Sequence, residues 1–424
     1  MVYNESKYNK NWKTMKLSDL GEFARGKSTH RPRNDKNLFE GGGYPLVQTG
    51  EIKEANLYIT HHTQEYGEFG LQQSKLWDAE TLCITIAANI AETALLAYPM
   101  CFPDSVVGFK AYKEVSSEKF MYYVFDFIRN SIQNAASGST QDNINIDYLT
   151  SLDFKVPDKI AQDKMVELLS AIDEKILMNS KINDNLEQQL MLLYDYWFTQ
   201  FDFPDNDGNP YQTSGGKMVW NDTLKRNIPE NWKVQSVISN CLSSIIKPGV
   251  EIFNTKTYLA TADVKGTSIS TGTIVDYDGR ESRANMQPSI NSVWFAKMKN
   301  SIKHLYLNKE MQPIISSCIL STGFCGLQCN EISFEYIASY VSNAYFEIHK
   351  DMLAHGATQE AVNNDDLAGV HIIIPEDTVL RAYHEATQAI YAQISKNICE
   401  NQELVKLRDW LLPMLMNGQA TISD

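Results

Sequence analysis

The chain has 424 residues, 43% of them hydrophobic and 21% charged, and a formal net charge of −14. That length exceeds one ordinary hydrophobic core and predicts two or three domains; no apolar run of about eighteen residues offers a membrane span, and the opening MVYNESKYNKNW lacks a signal-peptide core, so a cytoplasmic protein is expected. The cysteines at 83, 101, 241, 318, 325, 329 and 399 form no paired framework and no two Cys-x-x-Cys elements, so no disulfides are expected.

Residues 1–36 hold nine basic against four acidic side chains. Within them GEFARGKS (Gly21 to Ser28) satisfies the phosphate-loop pattern G-x-x-x-x-G-K-[ST] letter for letter. Such a loop needs a buried strand before it and a helix after it, and the flanking WKTMKLSDL and THRPRNDKN suit neither. RGKSTHRPR (Arg25 to Arg33) instead concentrates cations with hydroxyls in a loop. Arg25, Lys27, Ser28, Thr29, Arg31 and Arg33 are therefore candidate phosphate contacts, with an ordinary solvated loop as the alternative. Gln48 and Thr49, in PLVQTGEI, are polar enough for base edges or else cap the core. A β-rich run at Thr81 to Ile86 and an aromatic-rich helix over about Glu118–Ala135 complete a small α/β globule whose aromatics read as core.

After Pro157 the apolar residues alternate steps of four and three: Met165, Leu169, Ile172, Ile176, Asn179, Asn183, Leu186, Leu190, Leu193, Trp197. This predicts a helix from about 160 to 198. Asp173 and Lys175 flank seam residues, so the loose Pro157-Asp158…Asp173-x-Lys175 nuclease pattern reads as a solvated helix face. FDFPDNDGNPYQTSGG (Phe201 to Gly216) is a turn-rich loop.

The later part repeats this plan. Thr261, in YLATADV, occupies the place of Gln48 and Thr49. Arg280, Arg283, Lys297, Lys299 and Lys303 are the candidate phosphate-contacting cations there. A β-rich run at Pro313 to Leu320 precedes a helix over about Phe334–Leu353. Cys318, Cys325 and Cys329 lack zinc-site spacing and a nearby His, and read as buried thiols. No metal site and no cofactor are expected. A methyltransferase lacks both its Asn/Asp-Pro-Pro-aromatic motif and a glycine-rich loop after a strand.

A shift of 218 residues aligns GSTQ (Gly138 to Gln141) with GATQ (Gly356 to Gln359), Leu149 with Leu367, Pro157 with Pro375 and Leu186 with Leu404. The shifted seam reads Tyr383, Thr387, Ile390, Ile394, Asn397, Asn401, Leu404, Arg408, Leu411, Leu415, with Arg408 as the break. Asn179 and Asn183 thus match Asn397 and Asn401. Polar layers at one place in two long helices point to helices packed on each other with a fixed register, rather than two unrelated amphipathic helices. Charge follows the same plan. Residues 148–231 carry 8 basic and 14 acidic side chains and residues 359–424 carry 4 and 10, whereas 1–147 (15 and 18) and 232–358 (11 and 10) are nearly neutral.

Together LGEFARGKS, GSTQDNINIDYLTSLDFKVP, YDYWFTQFDFPDNDGNPYQTSGGKMV, IPENWKV and LRDWLLPMLMNG resemble, in order, the landmarks of the specificity subunits of Type I restriction-modification systems. The Glu-Gln usual after the proline reads Ala161-Gln162 here, and the second half has no equivalent. The resemblance implies an α/β (α+β) chain with a pseudo-two-fold internal repeat: two globular target recognition domains separated by two long helices forming an antiparallel coiled coil. Its expected divisions are recognition domain 1–157, helix 158–200, linker 201–231, recognition domain 232–375 and helix 376–418. It implies a non-catalytic chain that reads a bipartite, asymmetric site in double-stranded DNA. Its partners would be two methyltransferase subunits that modify adenine and motor-nuclease subunits, with no membrane. A coiled-coil assembly protein whose end domains bind protein is the alternative of a different class.

Overall fold

The computed structural model describes residues 2–137, 144–356 and 359–422. Gly138 to Gln141 of the first repeat element, and Ala357 and Thr358 of its counterpart, lie outside the described residues. The chain forms two compact units, Met1–Leu177 with Leu404–Asp424, and Met178–Glu403.

In the first unit a five-stranded sheet runs in the order Gly21–Arg25, Val106–Ala111, Leu82–Thr85, Thr93–Leu96, Tyr58–Ile59. The central strands Leu82–Thr85 and Thr93–Leu96 are buried at every position, which is why they read as continuous apolar runs rather than alternating ones. The helix Glu118–Ser137 covers this sheet, burying Phe120, Met121, Tyr123, Val124, Phe125 and Ile128 in one core. A second sheet takes the order Gln64–Tyr66, Tyr44–Leu46, Met100–Cys101, Leu76–Trp77. Strand Lys13–Lys16 pairs antiparallel with Asp153–Val156, Lys13 opposite Val156.

The second unit repeats the framework. Ser243–Ile245, Phe324–Cys329, Ser292–Ala296 and His304–Leu307 form one sheet, and Thr273–Asp276, Thr255–Leu259, Cys318–Ser321 and Ala284–Met286 another. Strands Val106–Ala111 and Asp153–Val156 are displaced by 218 residues from Phe324–Cys329 and His371–Ile374, and Lys13–Lys16 by 220 from Lys233–Ser236. At one repeated strand position a Cβ would lie 2.6 Å from the Trp77 ring at Gly108 and 2.5 Å from the Trp294 ring at Gly326. Each strand lies bare against an indole there.

Two sequence expectations need correction. The predicted helix over 334–353 is two helices, Phe334–Ser342 and Ala344–Leu353, because Asn343 is extended and its side chain caps the Tyr345 amide at 2.9 Å. The β-rich run from Pro313 begins instead as a helix, Gln312–Ser317, with Pro313 in its first turn, where a missing N–H costs nothing; the strand starts at Cys318.

The long helices are Lys159–Tyr194 (36 residues), continued by a π-helical turn Asp195–Thr199, and Asp377–Met416 (40 residues). Their starts are 218 residues apart, and at 1.5 Å per residue they extend about 54 and 60 Å. They pack antiparallel. Met165, Leu169, Ile172, Ile176, Leu190 and Trp197 of the first, and Tyr383, Thr387, Ile394 and Leu415 of the second, are buried as the seam requires.

Candidate nucleic-acid interface

Gly21–Arg25, which opens the phosphate-loop look-alike, is an antiparallel strand beside Val106–Ala111, and the chain then enters a loop rather than a helix. Among the described residues no helix begins directly after that strand, so the strand–loop–helix geometry of a nucleotide phosphate site is not built there.

What is built is an arginine cluster. Arg25 donates from Nε to the Asp104 carbonyl at 2.5 Å, Arg31 from Nη2 to Asp104 Oδ2 at 3.3 Å, and Arg33 from Nη2 to the same oxygen at 2.5 Å. Thr29 Oγ1 bonds Gln73 Oε1 at 2.7 Å, Lys27 is exposed, and Ser28 is half-buried with its carbonyl accepting from Arg31 Nη1 at 2.7 Å. His30 Nε2 lies 2.7 Å from Asp35 Oδ2. The Asn37 amide first, and His30 second, hold the Asp35 carboxyl below its ordinary range. Arg25 thus ends the strand, and the other five nominated residues lie in the loop that follows it.

Gln48 and Thr49 are helix-starting residues. Gln48 donates its amide to Glu51 Oε2 at 2.8 Å, and Thr49 opens the helix Thr49–Glu54. In the second unit Ala260 donates to Asp263 Oδ2 at 2.8 Å and Thr261 opens a 3-10 turn. Thr49 and Thr261 are therefore equivalent first helical positions, each half-buried.

The second unit's cations divide. Thr261, Arg283, Lys297 and Lys303 gather around the turn at Ser321 to Phe324. Lys303 Nζ donates to the Thr261 carbonyl at 2.5 Å, Thr322 donates to the Arg283 carbonyl at 2.8 Å, and Lys297 donates its amide to the Gly323 carbonyl at 2.9 Å. A Cβ at Gly323 would lie 2.9 Å from Thr261 Cγ2, which keeps this turn close. Arg280 lies apart, stacked 4.0 Å over the Tyr277 ring and bonded to the Tyr277 carbonyl. Lys299 is paired with Glu360 at 2.8 Å.

The four nominated asparagines meet in crossed pairs. Asn179 Nδ2 donates to Asn401 Oδ1 at 2.9 Å and to Glu400 Oε2 at 2.7 Å; Asn397 Nδ2 donates to Asn183 Oδ1 at 2.8 Å, and Asn183 Nδ2 reaches the Ile394 carbonyl at 3.3 Å. Shifting by 218 exchanges one pair for the other.

Asp173 is not on a solvated face. It is 3% exposed, accepts from the Tyr123 hydroxyl at 2.7 Å on one oxygen and from Arg408 Nη1 at 3.0 Å on the other. Arg408, the apparent break in the seam, is its counterion. Burial alone would lower the Arg408 pKa, but the Asp173 and Asp409 carboxylates outweigh it and raise it. Neither Asp104 nor Asp173 carries a local sequence signal: their cationic partners lie 71 to 79 and 235 residues away.

Cys318, Cys325 and Cys329 are buried, and burial pushes Cys325 up to about 12. Among the described residues no group of three or more His, Cys, Asp or Glu is placed to hold a metal ion, and no helix is long and apolar enough to cross a membrane.

The geometry thus comprises an arginine cluster on one β framework, a cation-rich turn on its repeat, and two helices joined by polar layers. Residues 9–188 match the sequence model of the Type I restriction modification DNA specificity domain. The chain is 23% identical to the Type I restriction enzyme MjaIX specificity subunit of Methanocaldococcus jannaschii over 98% of this chain and 95% of that one. To the Type I restriction enzyme HindI specificity subunit of Haemophilus influenzae it is also 23% identical, over 68% of this chain and 73% of that one. The crystal structure of a Type-I restriction-modification system S subunit from M. genitalium shares the fold at a TM-score of 0.53 and 14% identity, covering both chains fully.

Proposed function

We propose that the chain is the non-catalytic reader of a Type I complex acting in the cytoplasm. Residues 1–157 and 232–375 each read one half of a bipartite site in double-stranded DNA, residues 201–231 link them, and residues 158–200 and 376–418 form the paired helices. Two methyltransferase subunits then modify adenines and motor-nuclease subunits restrict unmodified DNA. The observation that carries this reading is the repeated strand-and-helix framework with different side chains at equivalent places: arginines gathered on Asp104 in one half, lysines and Arg283 around Ser321 to Phe324 in the other. Different side chains read different bases, so the two half-sites differ and the whole site is not a palindrome.

Exposed apolar side chains support protein partners along the helices. Met178, Ile182 and Leu192 of the first long helix, and Leu407 and Trp410 of the second, lie open to solvent. Apolar groups left open on a helix are suited to a partner's surface.

The test is a single-molecule methylation map of the host genome with the gene intact and with it deleted. Loss of one bipartite, asymmetric adenine-methylated motif is expected. An unchanged map favours the assembly-protein alternative, which also predicts no sequence-specific DNA affinity at any salt concentration, whereas a DNA reader's binding weakens steeply as salt rises.

A further inference from the structure

Arg25 at the end of its strand, and Arg31 and Arg33 of the loop that follows, converge on one residue that sits elsewhere in the chain. Asp104 lies in the turn between strands Met100–Cys101 and Val106–Ala111. Its carboxylate accepts from Arg31 at 3.3 Å and Arg33 at 2.5 Å, and its carbonyl accepts from Arg25 at 2.5 Å. We propose that Asp104 is the positioning residue of the first DNA interface, holding the Arg31 and Arg33 guanidiniums so that their remaining donors face a phosphodiester. The proposal rests on the reading of Arg25 to Arg33 as a DNA-contacting loop.

The geometry separates positioning from stabilisation. Arg31 and Arg33 are 53% and 56% exposed at the side chain, and Asp104 22%. Ion pairs this open contribute little to folding. A guanidinium has five N–H donors in a rigid fork. Arg33 gives one of them to Asp104, and Arg31 fixes a second nitrogen on the Ser28 and His30 carbonyls at 2.7 and 2.8 Å. The rest of each fork stays open, and open forks match phosphate bidentately.

The loop is seated on the same turn by other means. Gly26 donates to the Val106 carbonyl at 2.8 Å, and a Cβ at Gly26 would lie 2.1 Å from the Pro103 carbonyl oxygen, so only glycine permits this approach. The surface stays cationic, because Arg25, Lys27, Arg31 and Arg33 outnumber Asp35 and Asp104. The repeat has Thr322 at the place shifted by 218 residues, so this device belongs to the first half alone.

Charge and positioning predict opposite signs. Removing an acid from a DNA-facing surface strengthens binding if only net charge matters, and weakens it if the acid orients the arginines. The full-length chain is titrated against a fluorescein-labelled, mixed-sequence DNA duplex of about 40 base pairs, longer than the one-turn spacing of two half-sites, by anisotropy at several KCl concentrations. Asp104→Asn is expected to bind about three- to tenfold more weakly, with the slope of log K against log[KCl] reduced by about one, as for one lost phosphate contact. Asp104→Glu recovers most of the affinity. In an Arg31→Gln/Arg33→Gln background, Asp104→Asn causes no further loss, because nothing remains to be positioned.

Equal or tighter binding by folded Asp104→Asn, with an unchanged or steeper slope, overturns the proposal. Should that variant fail to fold, Arg33→Lys serves: it keeps the charge and loses the fork, so a loss of affinity supports positioning and none overturns it. Failure of the parent chain to bind the duplex sinks the interface reading itself, an outcome distinct from tighter binding by the variant.

Discussion

Positions 173 and 408 in the first unit correspond, by the shift of 218, to 391 and 190 in the second, and the two units fill this shared place with different chemistry. In the first, Asp173 and Arg408 form a buried ion pair completed by the Tyr123 hydroxyl. In the second, Leu190 lies in an apolar core and Tyr391 bonds Ser339 at 2.9 Å, with Tyr306 and Phe334 edge-on to its ring. The difference teaches that a duplicated seam conserves shape and register while its polarity is free to change, provided every buried polar group finds a partner. An ion pair of this kind adds little over a well-packed apolar contact but is costly to break.

The sharpest way to break the comparison is Arg408→Leu, which copies the second unit's residue into the first. It strands the Asp173 carboxylate in the interior and is expected to cost about 3–5 kcal/mol, read from the urea midpoint. Adding Asp173→Asn should recover a large part, since the amide still accepts from Tyr123. If Arg408→Leu alone is neutral, the pair is not the keystone its burial implies.

Next comes the polar layer within the second unit. Asn179→Leu with Asn183→Leu removes the bonds Asn179–Asn401 and Asn397–Asn183, at about 1–3 kcal/mol apiece. The effect should appear more in helix pairing and partner assembly, followed by cross-linking and size-exclusion chromatography, than in loss of the globular cores. Unchanged assembly would count against a register role.

The smallest effects sharpen the contrast between the two chemistries. Tyr123→Phe removes a hydrogen bond to a carboxylate and should cost about 1.5–3 kcal/mol, whereas Tyr391→Phe removes one to a neutral hydroxyl and should cost about 0.5–1.5 kcal/mol. Thermal unfolding of the two variants side by side decides this; equal losses would mean that the Asp173 charge adds nothing.

Much of this framework is legible in the residues because it is periodic. The four-and-three spacing marks both long helices, and the asparagine pairs at matching positions foretell that the helices pack. The aromatic run after Glu118 yields a helix whose Phe120, Tyr123 and Phe125 are buried. What periodicity does not carry is the identity of partners across the fold. Arg408 looks like a defect along its own helix and becomes a counterion only when the antiparallel register brings Asp173 opposite. The loop's cations look free along the sequence, yet Arg25, Arg31 and Arg33 are gathered by Asp104, and Lys299 is taken by Glu360. The run at Pro313 misled because Ile314 and Ile315 suit a strand, while a proline in the first turn suits a helix better.

The buried thiols make the chain a clock of its own opening. Burial raises the pKa of Cys83 and Cys101 in the first unit and of Cys325 and Cys329 in the second. A thiol held protonated and out of solvent scarcely meets an electrophile, because only the thiolate reacts. Cys241 stands exposed and Cys399 half-buried, so these two label first. Each later increment of label marks a moment when one core breathed, and peptide mapping tells which core it was, so the order in which the two cores loosen is written in mass.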